Sequence, residues 1–241
     1  CHIESGLRSG DISMPEEVNR ILTDHITDYF FVTEKSGVDN LQKEGIIQNV
    51  FLVGNTMIDT QKLYLRDALE KQYHTELGLS KGQYILITLH RPSNVDNLNT
   101  LKNILDDIII LSKKHKIIYP IHPRTLVNIK QINYMELFNS NQNIIFSKPL
   151  GYLEFTCLIA NSKYVITDSG GIQEETSILN IPCFTLRPNT ERPITLIQNN
   201  GTNQLIDKIT DIKFIPTINH TIPLWDGVTS ERIREHLSNI L

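Results

Sequence analysis

Short runs of consecutive apolar residues recur along the chain, each bounded by turn residues: 29–33, 50–53, 84–89, 116–121, 143–146, 164–167 and 182–186. Runs of this length suit strands covered on both faces. Between them, apolar residues return at helical spacing. The pattern predicts helices over 16–26, 36–44, 59–73, 98–115, 153–160, 172–179 and 231–241. Pro15 opens the first of these, and Gly45 follows the second as a stop signal. Strand alternating with helix predicts an α/β fold built on parallel sheets.

The 241 residues correspond to one to two domains. Residues 81–205 contain enough units for one complete doubly wound domain. Residues 1–53 supply only two strands and about two helices, too little for a core of their own. Gly54-Asn55 is the expected boundary, with 54–227 as the second unit. The chain is 40% hydrophobic and 21% charged, which argues against disorder. A net charge of −4 excludes a broadly basic nucleic-acid binder but leaves room for a local anion pocket. No apolar run reaches membrane-spanning length, so no membrane partner is expected. Cys1, Cys157 and Cys183 show no Cys-x-x-Cys spacing, which argues against a disulfide framework or a structural zinc site. Cys157 and Cys183 lie in apolar stretches and are expected to be buried. This cysteine usage fits a reducing, cytoplasmic compartment. The sequons at Asn200 and Asn219 are of a kind that arises often by chance.

Open parallel sheets bind ligands beyond the carboxyl ends of their strands. That rule selects His90-Arg91-Pro92-Ser93, His122-Pro123-Arg124, Asp168-Ser169-Gly170-Gly171 and the segment 187–193. In the third, two glycines allow close approach of backbone N–H groups, and the following helix start offers unpaired donors and a positive dipole end. Ser169 adds a hydroxyl, and Glu174 or Glu175 could accept from a ribose diol. A plain tight turn with helix-capping glutamates is the alternative. His90 and His122 fit either diphosphate ligands and acid–base groups or ordinary surface and core histidines. No third histidine or cysteine stands at metal-ligand spacing, so no metal is expected. Near the amino terminus, Glu4, Glu16 and Glu17 supply carboxylates, and Arg8 and Arg20 supply cations. Helix-dipole compensation for Glu16 and Glu17 and surface ion pairs for Arg8 and Arg20 are the simpler readings of these residues by themselves.

These residues together resemble the non-hydrolysing UDP-N-acetylglucosamine 2-epimerases. The matching blocks are His2-Ile-Glu-Ser-Gly-Leu-Arg-Ser-Gly-Asp11, Pro15-Glu-Glu-Val-Asn-Arg20, Val53-Gly-Asn-Thr56, Thr88-Leu-His-Arg91, Thr167-Asp-Ser-Gly-Gly-Ile-Gln-Glu-Glu175 and Thr190-Glu-Arg-Pro193. They occur in family order over nearly the whole chain. The resemblance implies a GT-B-like architecture of two Rossmann-type domains. It places the first part of the amino-terminal domain, on the order of 100 residues, upstream of Cys1. The final helix, about 228–241, is expected to pack back on the amino-terminal domain.

The implied reaction interconverts UDP-GlcNAc and UDP-ManNAc by elimination and re-addition of UDP. It belongs to cell-surface polysaccharide biosynthesis and needs no cofactor, because no hydride moves. By resemblance, Glu4 and Glu16 match catalytic carboxylates, and His90 an active-site histidine near the diphosphate. Ser169, Gly170 and Gly171 match the diphosphate turn, Glu175 the ribose ligand, Phe155 an aromatic position near the uracil, and Arg192 a phosphate partner. Arg91 and His122 match positions that hold a second, activating UDP-GlcNAc in some bacterial members. Pro92 and Ser93 depart from the arginine and glutamate common there, which weakens that site and fits a branch acting on a modified UDP-sugar. A homodimer is the expected assembly of the complete protein, and the present piece alone is expected to be inactive. The competing functions are a GT-B glycosyltransferase and a non-catalytic UDP-sugar-binding fragment.

Overall fold

The computed structural model describes residues 1–199, 201–213 and 221–240. The sequon residues Asn200 and Asn219, and Leu241 of the expected last helix, lie outside the described residues. The chain forms two compact units. One is Cys1–Leu63 with the described parts of Asn189–Gly201 and His220–Leu241; the other is Tyr64–Pro188 with the described part of Thr202–Asn219.

The first unit is built on three parallel strands, β1 (His2–Ser5), β2 (Phe30–Val32) and β3 (Val50–Leu52), in the order β1-β2-β3. The sequence pattern shows β1 only as a strand end, because its four residues include two charged or titratable side chains. Alternation along β2 sends Phe30 and Val32 to one face, with Leu41 of helix Lys35–Lys43. Phe31 goes to the other face, with Val53 and Ile233 of the final helix Thr229–Ile240. The His236 ring lies 4.3 Å from that of Phe51, and Arg232 donates to the Val53 carbonyl at 2.9 Å. Helix Lys35–Lys43 stops where the sequence signals it. Gly45 takes φ +83° and its N–H bonds to the Gln42 carbonyl.

The loop after β1 folds around Asp24, which is fully buried on helix Pro15–His25. Its carboxylate accepts from the Gly6 N–H at 3.1 Å, faces His2 Nδ1 at 2.6 Å and pairs with Arg8 at 2.7 Å. Arg8 also bonds Glu44 through two nitrogens, each at 2.8 Å. Arg8 is therefore a half-buried clamp for this loop. Glu17 is likewise structural. It is 1% exposed and accepts from the N–H groups of Ser9 and Gly10 and from Arg20.

The second unit is a six-stranded, wholly parallel sheet: β4 (Tyr84–Thr88), β5 (Lys116–Pro120), β6 (Ile144–Ser147), β7 (Tyr164–Thr167), β8 (Cys183–Leu186) and β9 (Asn203–Ile206). Their order is β6-β5-β4-β7-β8-β9. The chain starts at the centre, winds outward through β5 and β6, then returns to the other side of β4. The switch point lies between β4 and β7. Ile85 and Ile87 pack with Leu101, Leu105 and Ile108 of helix Leu98–Ser112 on one face. Tyr84 and Leu86 pack with Leu158 and Ile159 of helix Tyr152–Asn161 on the other. The parallel α/β class expected from the pattern is what the chain adopts.

Several details differ from the pattern, among them the helix expected over 59–73, which runs Thr56–Glu70, and the unexpected short helices Tyr73–Glu76, Pro92–Val95 and Met135–Asn139. Helix Leu98–Ser112 ends three residues early, because Lys113-Lys114-His115 has no apolar side chain to bury. Helix Pro123–Gln131 is absent from the periodicity. It buries little beyond Thr125 and Ile129, and its start is set by capping instead. Strand β9 opens on Asn203 and Gln204, whose polarity hides an edge strand. As expected, Cys157 and Cys183 are buried, and all three cysteines are free thiols. Among the described residues, no helix is long and apolar enough to cross a membrane, and no group of three His, Cys, Asp or Glu residues could hold a metal.

Two substitutions test this frame. Gly6 sits at φ +78°, and a Cβ there would lie 2.3 Å from the Gly37 carbonyl oxygen. Gly6→Ala should therefore lower stability by about 3 kcal/mol, combining left-handed strain with overpacking, as read from urea unfolding. Asp24→Ala leaves the Gly6 N–H and the half-buried Arg8 with one partner fewer each and should cost about 1–3 kcal/mol in the same assay. Burial alone would raise the Asp24 carboxyl, but the bonds from His2 and Arg8 outweigh it and hold it below the usual range. Its stabilisation is thus present above the ordinary carboxylate pKa and lost as the pH falls through the depressed one. The variant should lose that acid dependence.

Candidate functional site

At the switch point of the larger sheet, one carboxylate organises two strand ends. Asp168 follows β7 and is fully buried. It accepts from the backbone N–H groups of His90 at 3.1 Å and Arg91 at 2.9 Å, both just after β4. Asn94 Nδ2 donates to it at 3.0 Å and to the Leu186 carbonyl, at the end of β8, at 3.1 Å. His90 Nδ1 lies 3.2 Å from Asp168 Oδ1. A proton on Nδ1 satisfies that contact and leaves Nε2 for a ligand, on a side chain that is 42% exposed. The His122 ring stands 5.8 Å from that of His90. His122 also caps helix Pro123–Gln131, its Nδ1 accepting from the Arg124 N–H.

Beside this junction, Ser169 is the N-cap of helix Gly170–Ile178. The first turn leaves backbone N–H groups without intrahelical partners, at the positive end of the dipole. The helix start is held by a chain of buried polar contacts. Ser169 N–H donates to Thr167 Oγ1 at 3.0 Å. Gln173 accepts from Asn203 at 3.1 Å, and Asn203 accepts from Thr185 at 2.6 Å. The same helix carries Glu175, which is 8% exposed; burial pushes its carboxyl up to about 7. Tyr152 feels the Glu175 charge, which adds to burial in raising its phenol. Phe155 is half-buried against the Leu86 face of the sheet.

The smaller unit holds a second group of candidates. Glu4 lies within β1 at φ +70°, where the pairing with β2 shifts register between Ile3 and Ser5. A non-glycine residue in this region is strained, and such residues cluster at functional sites. Arg192 Nη2 donates to Glu4 Oε1. Arg192 is buried, whereas the Glu4 side chain is 38% exposed. Next to Arg192, Glu191 lies 3.7 Å from Arg20, which also bonds Glu17. Glu16 is solvent-exposed in the first turn of helix Pro15–His25.

The structure thus gathers His90, Arg91, His122, Ser169, Gly170 and Gly171 at neighbouring strand ends of the larger unit. It joins Glu4 to Arg192 in the smaller one and places Glu16 on an open helix turn. Sequence reasoning gave no role to Asp168, Asn94 or Tyr152. For Asp168 a signal existed: an acidic residue directly after a fully apolar strand must be paired if it is buried.

The family model described as UDP-N-acetylglucosamine 2-epimerase matches residues 1–238. A UDP-N-acetylglucosamine 2-epimerase of Methanocaldococcus jannaschii is 42% identical over 97% of this chain and 67% of its own length. One from Methanococcus maripaludis is 45% identical over 83% of this chain and 56% of its own length. The crystal structure of the Methanocaldococcus jannaschii enzyme in complex with UDP-GlcNAc and UDP superposes with a TM-score of 0.87 at 40% identity, covering 99% of this chain and 68% of that one. The chain therefore spans between about half and two thirds of the length of these relatives, and across that span it belongs to the UDP-N-acetylglucosamine 2-epimerase family.

Proposed function

We propose that the protein interconverts UDP-GlcNAc and UDP-ManNAc by eliminating and re-adding UDP. The observation that supports this best is the Asp168 junction, which sets His90 beside the Ser169-Gly170-Gly171 helix start in a chain of this family. In the elimination, a base removes the C2 proton and the C1–O bond breaks. UDP leaves with the electron pair, and a 2-acetamidoglucal remains. Re-addition forms the C1–O bond again while an acid delivers a proton to the opposite face of C2.

We assign Glu4 and Glu16 to the proton transfers at C2. Ser169, the N–H groups of the Gly170-Gly171 turn and His90 Nε2 stabilise the leaving diphosphate, whose charge grows as the bond breaks. Glu175 takes the ribose diol and Phe155 the uracil. Arg192 holds Glu4 through its ion pair. Arg91 and His122 extend the same anion-binding strand ends toward a second UDP-sugar. The free thiols fit action in the cytoplasm, and a homodimer is the assembly we expect, read from its mass in solution.

In deuterated water, the complete protein should place deuterium at C2 of UDP-GlcNAc and of its product. Transfer without C2 exchange would identify a glycosyltransferase instead. Glu4→Gln should slow the exchange by about 100-fold or more, the usual scale for losing an acid–base group. Glu175 supplies a separate test. Hydroxyls of a ribose donate to its ionised form, so UDP binding should expel the proton that burial retains. Calorimetry at about pH 6, in buffers of different ionisation enthalpy, should show up to roughly one proton released per UDP. Glu175→Gln should remove that release, and near pH 8 wild type and variant should agree.

A further inference from the structure

The larger unit has a cavity at the end of its sheet away from Asp168. It lies at the amino ends of β5 and β7, between the last turns of helix Leu98–Ser112 and the turn Ile209–Asp211. Its volume is about 690 Å³, within the ordinary range for small-molecule sites. Leu111, Ile209, Ile212 and the Tyr164 ring give it apolar walls, and Ile110 beside them is left exposed to solvent. Three basic side chains meet at the same place. Lys114 and His115 follow helix Leu98–Ser112, and Lys163 immediately precedes β7. Burial and the charges of both lysines push the His115 imidazole down, so the three groups lie within reach of one another. The His115 ring meets Tyr164 edge-on at 6.4 Å. Among the described residues, neither lysine ammonium has a hydrogen-bond or ion-pair partner.

We propose that this cavity binds an amphipathic organic phosphate, its head between Lys114, His115 and Lys163 and its apolar or aromatic body against Leu111, Ile209 and Tyr164. Cations after a helix answer its dipole, which accounts for Lys114 and His115 alone. Lys163 comes from a separate loop and has no such role. Like charges gathered without a counter-charge repel, and an anion among them turns that repulsion into attraction. Two lysines and a histidine suit a doubly charged head better than a single carboxylate. The other charged groups around the cavity are engaged elsewhere. Asp107 accepts from the N–H groups of Ile209 and Thr210 and feels the Lys208 charge, so it belongs to the turn. Lys116 donates to the Gly78 carbonyl at 3.3 Å. The Tyr164 phenol, pushed up to about 12 by burial, stays neutral. The site stands at the opposite strand ends from His90, Arg91 and His122, so its occupant does not compete with UDP there.

Histidine labelled with nitrogen-15 in the ring makes His115 visible by NMR in the complete protein, with His115→Gln assigning its signal. The probes are octyl phosphate, phenyl phosphate and inorganic phosphate. An anion beside His115 favours its charged form, so both organic phosphates should raise its midpoint saturably, by about one pH unit. Inorganic phosphate has no body to bury and should need a concentration about tenfold higher or more. Tighter binding of octyl phosphate identifies a lipid-like occupant, and tighter binding of phenyl phosphate a nucleotide-like one. Lys114 and Lys163 are exposed, so Lys114→Gln with Lys163→Gln should leave thermal melting unchanged. The pair should weaken both organic phosphates by about tenfold, and added salt should weaken them in wild type. A His115 midpoint unmoved by either organic phosphate at millimolar concentration would overturn the proposal. An equal response to inorganic phosphate would reduce the site to an unselective cluster of charge and overturn it too, as would undiminished binding in the double variant.

Discussion

A carboxylate taken wholly out of water must find its hydrogen bonds inside the protein, and that constraint organises both units. Asp168 and Asp24 each have no exposure, and each sits beside the end of a parallel strand. Leaving either unpaired would cost several kcal/mol, so the loops must converge on them. Around Asp168 the N–H groups of His90 and Arg91 and the amide of Asn94 supply the bonds. Around Asp24 the Gly6 N–H, His2 and Arg8 do so. The backbone turns that carry the candidate chemistry are thus fixed by charges that need take no part in it.

Burial also sorts the remaining carboxylates by what they can do. Glu17 collects two backbone N–H groups and Arg20, which outweigh its desolvation and hold its carboxyl below the ordinary range. For Glu175 and Glu34 desolvation dominates, pushing them up to about 7 and about 6. These two can change charge near neutrality, whereas Glu17 remains a structural anion. Similar residues, a few tenths of a nanometre from different donors, become a clamp in one place and a titrating group in another.

The strands were legible because tertiary packing and local pattern agree: 164–167 reads as apolar and pairs on both sides. The Ser169-Gly170-Gly171 turn was legible too, since two glycines between an apolar strand and a helix announce themselves locally. What could not be read depends on partners far apart in the chain. Arg192 meets Glu4 across 188 residues, and His90 meets Asp168 across 78. Nothing in Thr33-Glu34-Lys35-Ser36 marks Glu34 as buried, yet it is 3% exposed. Nor does adjacency distinguish Glu16 from Glu17. One helical step, about 100°, takes the first into solvent and the second under the Ser9-Gly10 loop.

Glu4 shows how these constraints meet at one residue. Its left-handed backbone costs about 1–2 kcal/mol and persists only where the surroundings over-determine it. On one side, Ile3 is paired to Phe31. On the other, Ser5 is paired to Val32 after the register shift, and Gly6 is fixed by Asp24 and pressed against Gly37. The carboxylate is then held by a buried arginine. Three neighbours in His2-Ile-Glu-Ser-Gly-Leu-Arg8 therefore have a mechanical reason for their identity: an imidazole and a guanidinium for Asp24, and a glycine where no Cβ fits. The glutamate answers the charge of the buried Arg192. A strained, half-exposed acid held by a buried arginine is the kind of group that the proton transfers proposed at C2 require.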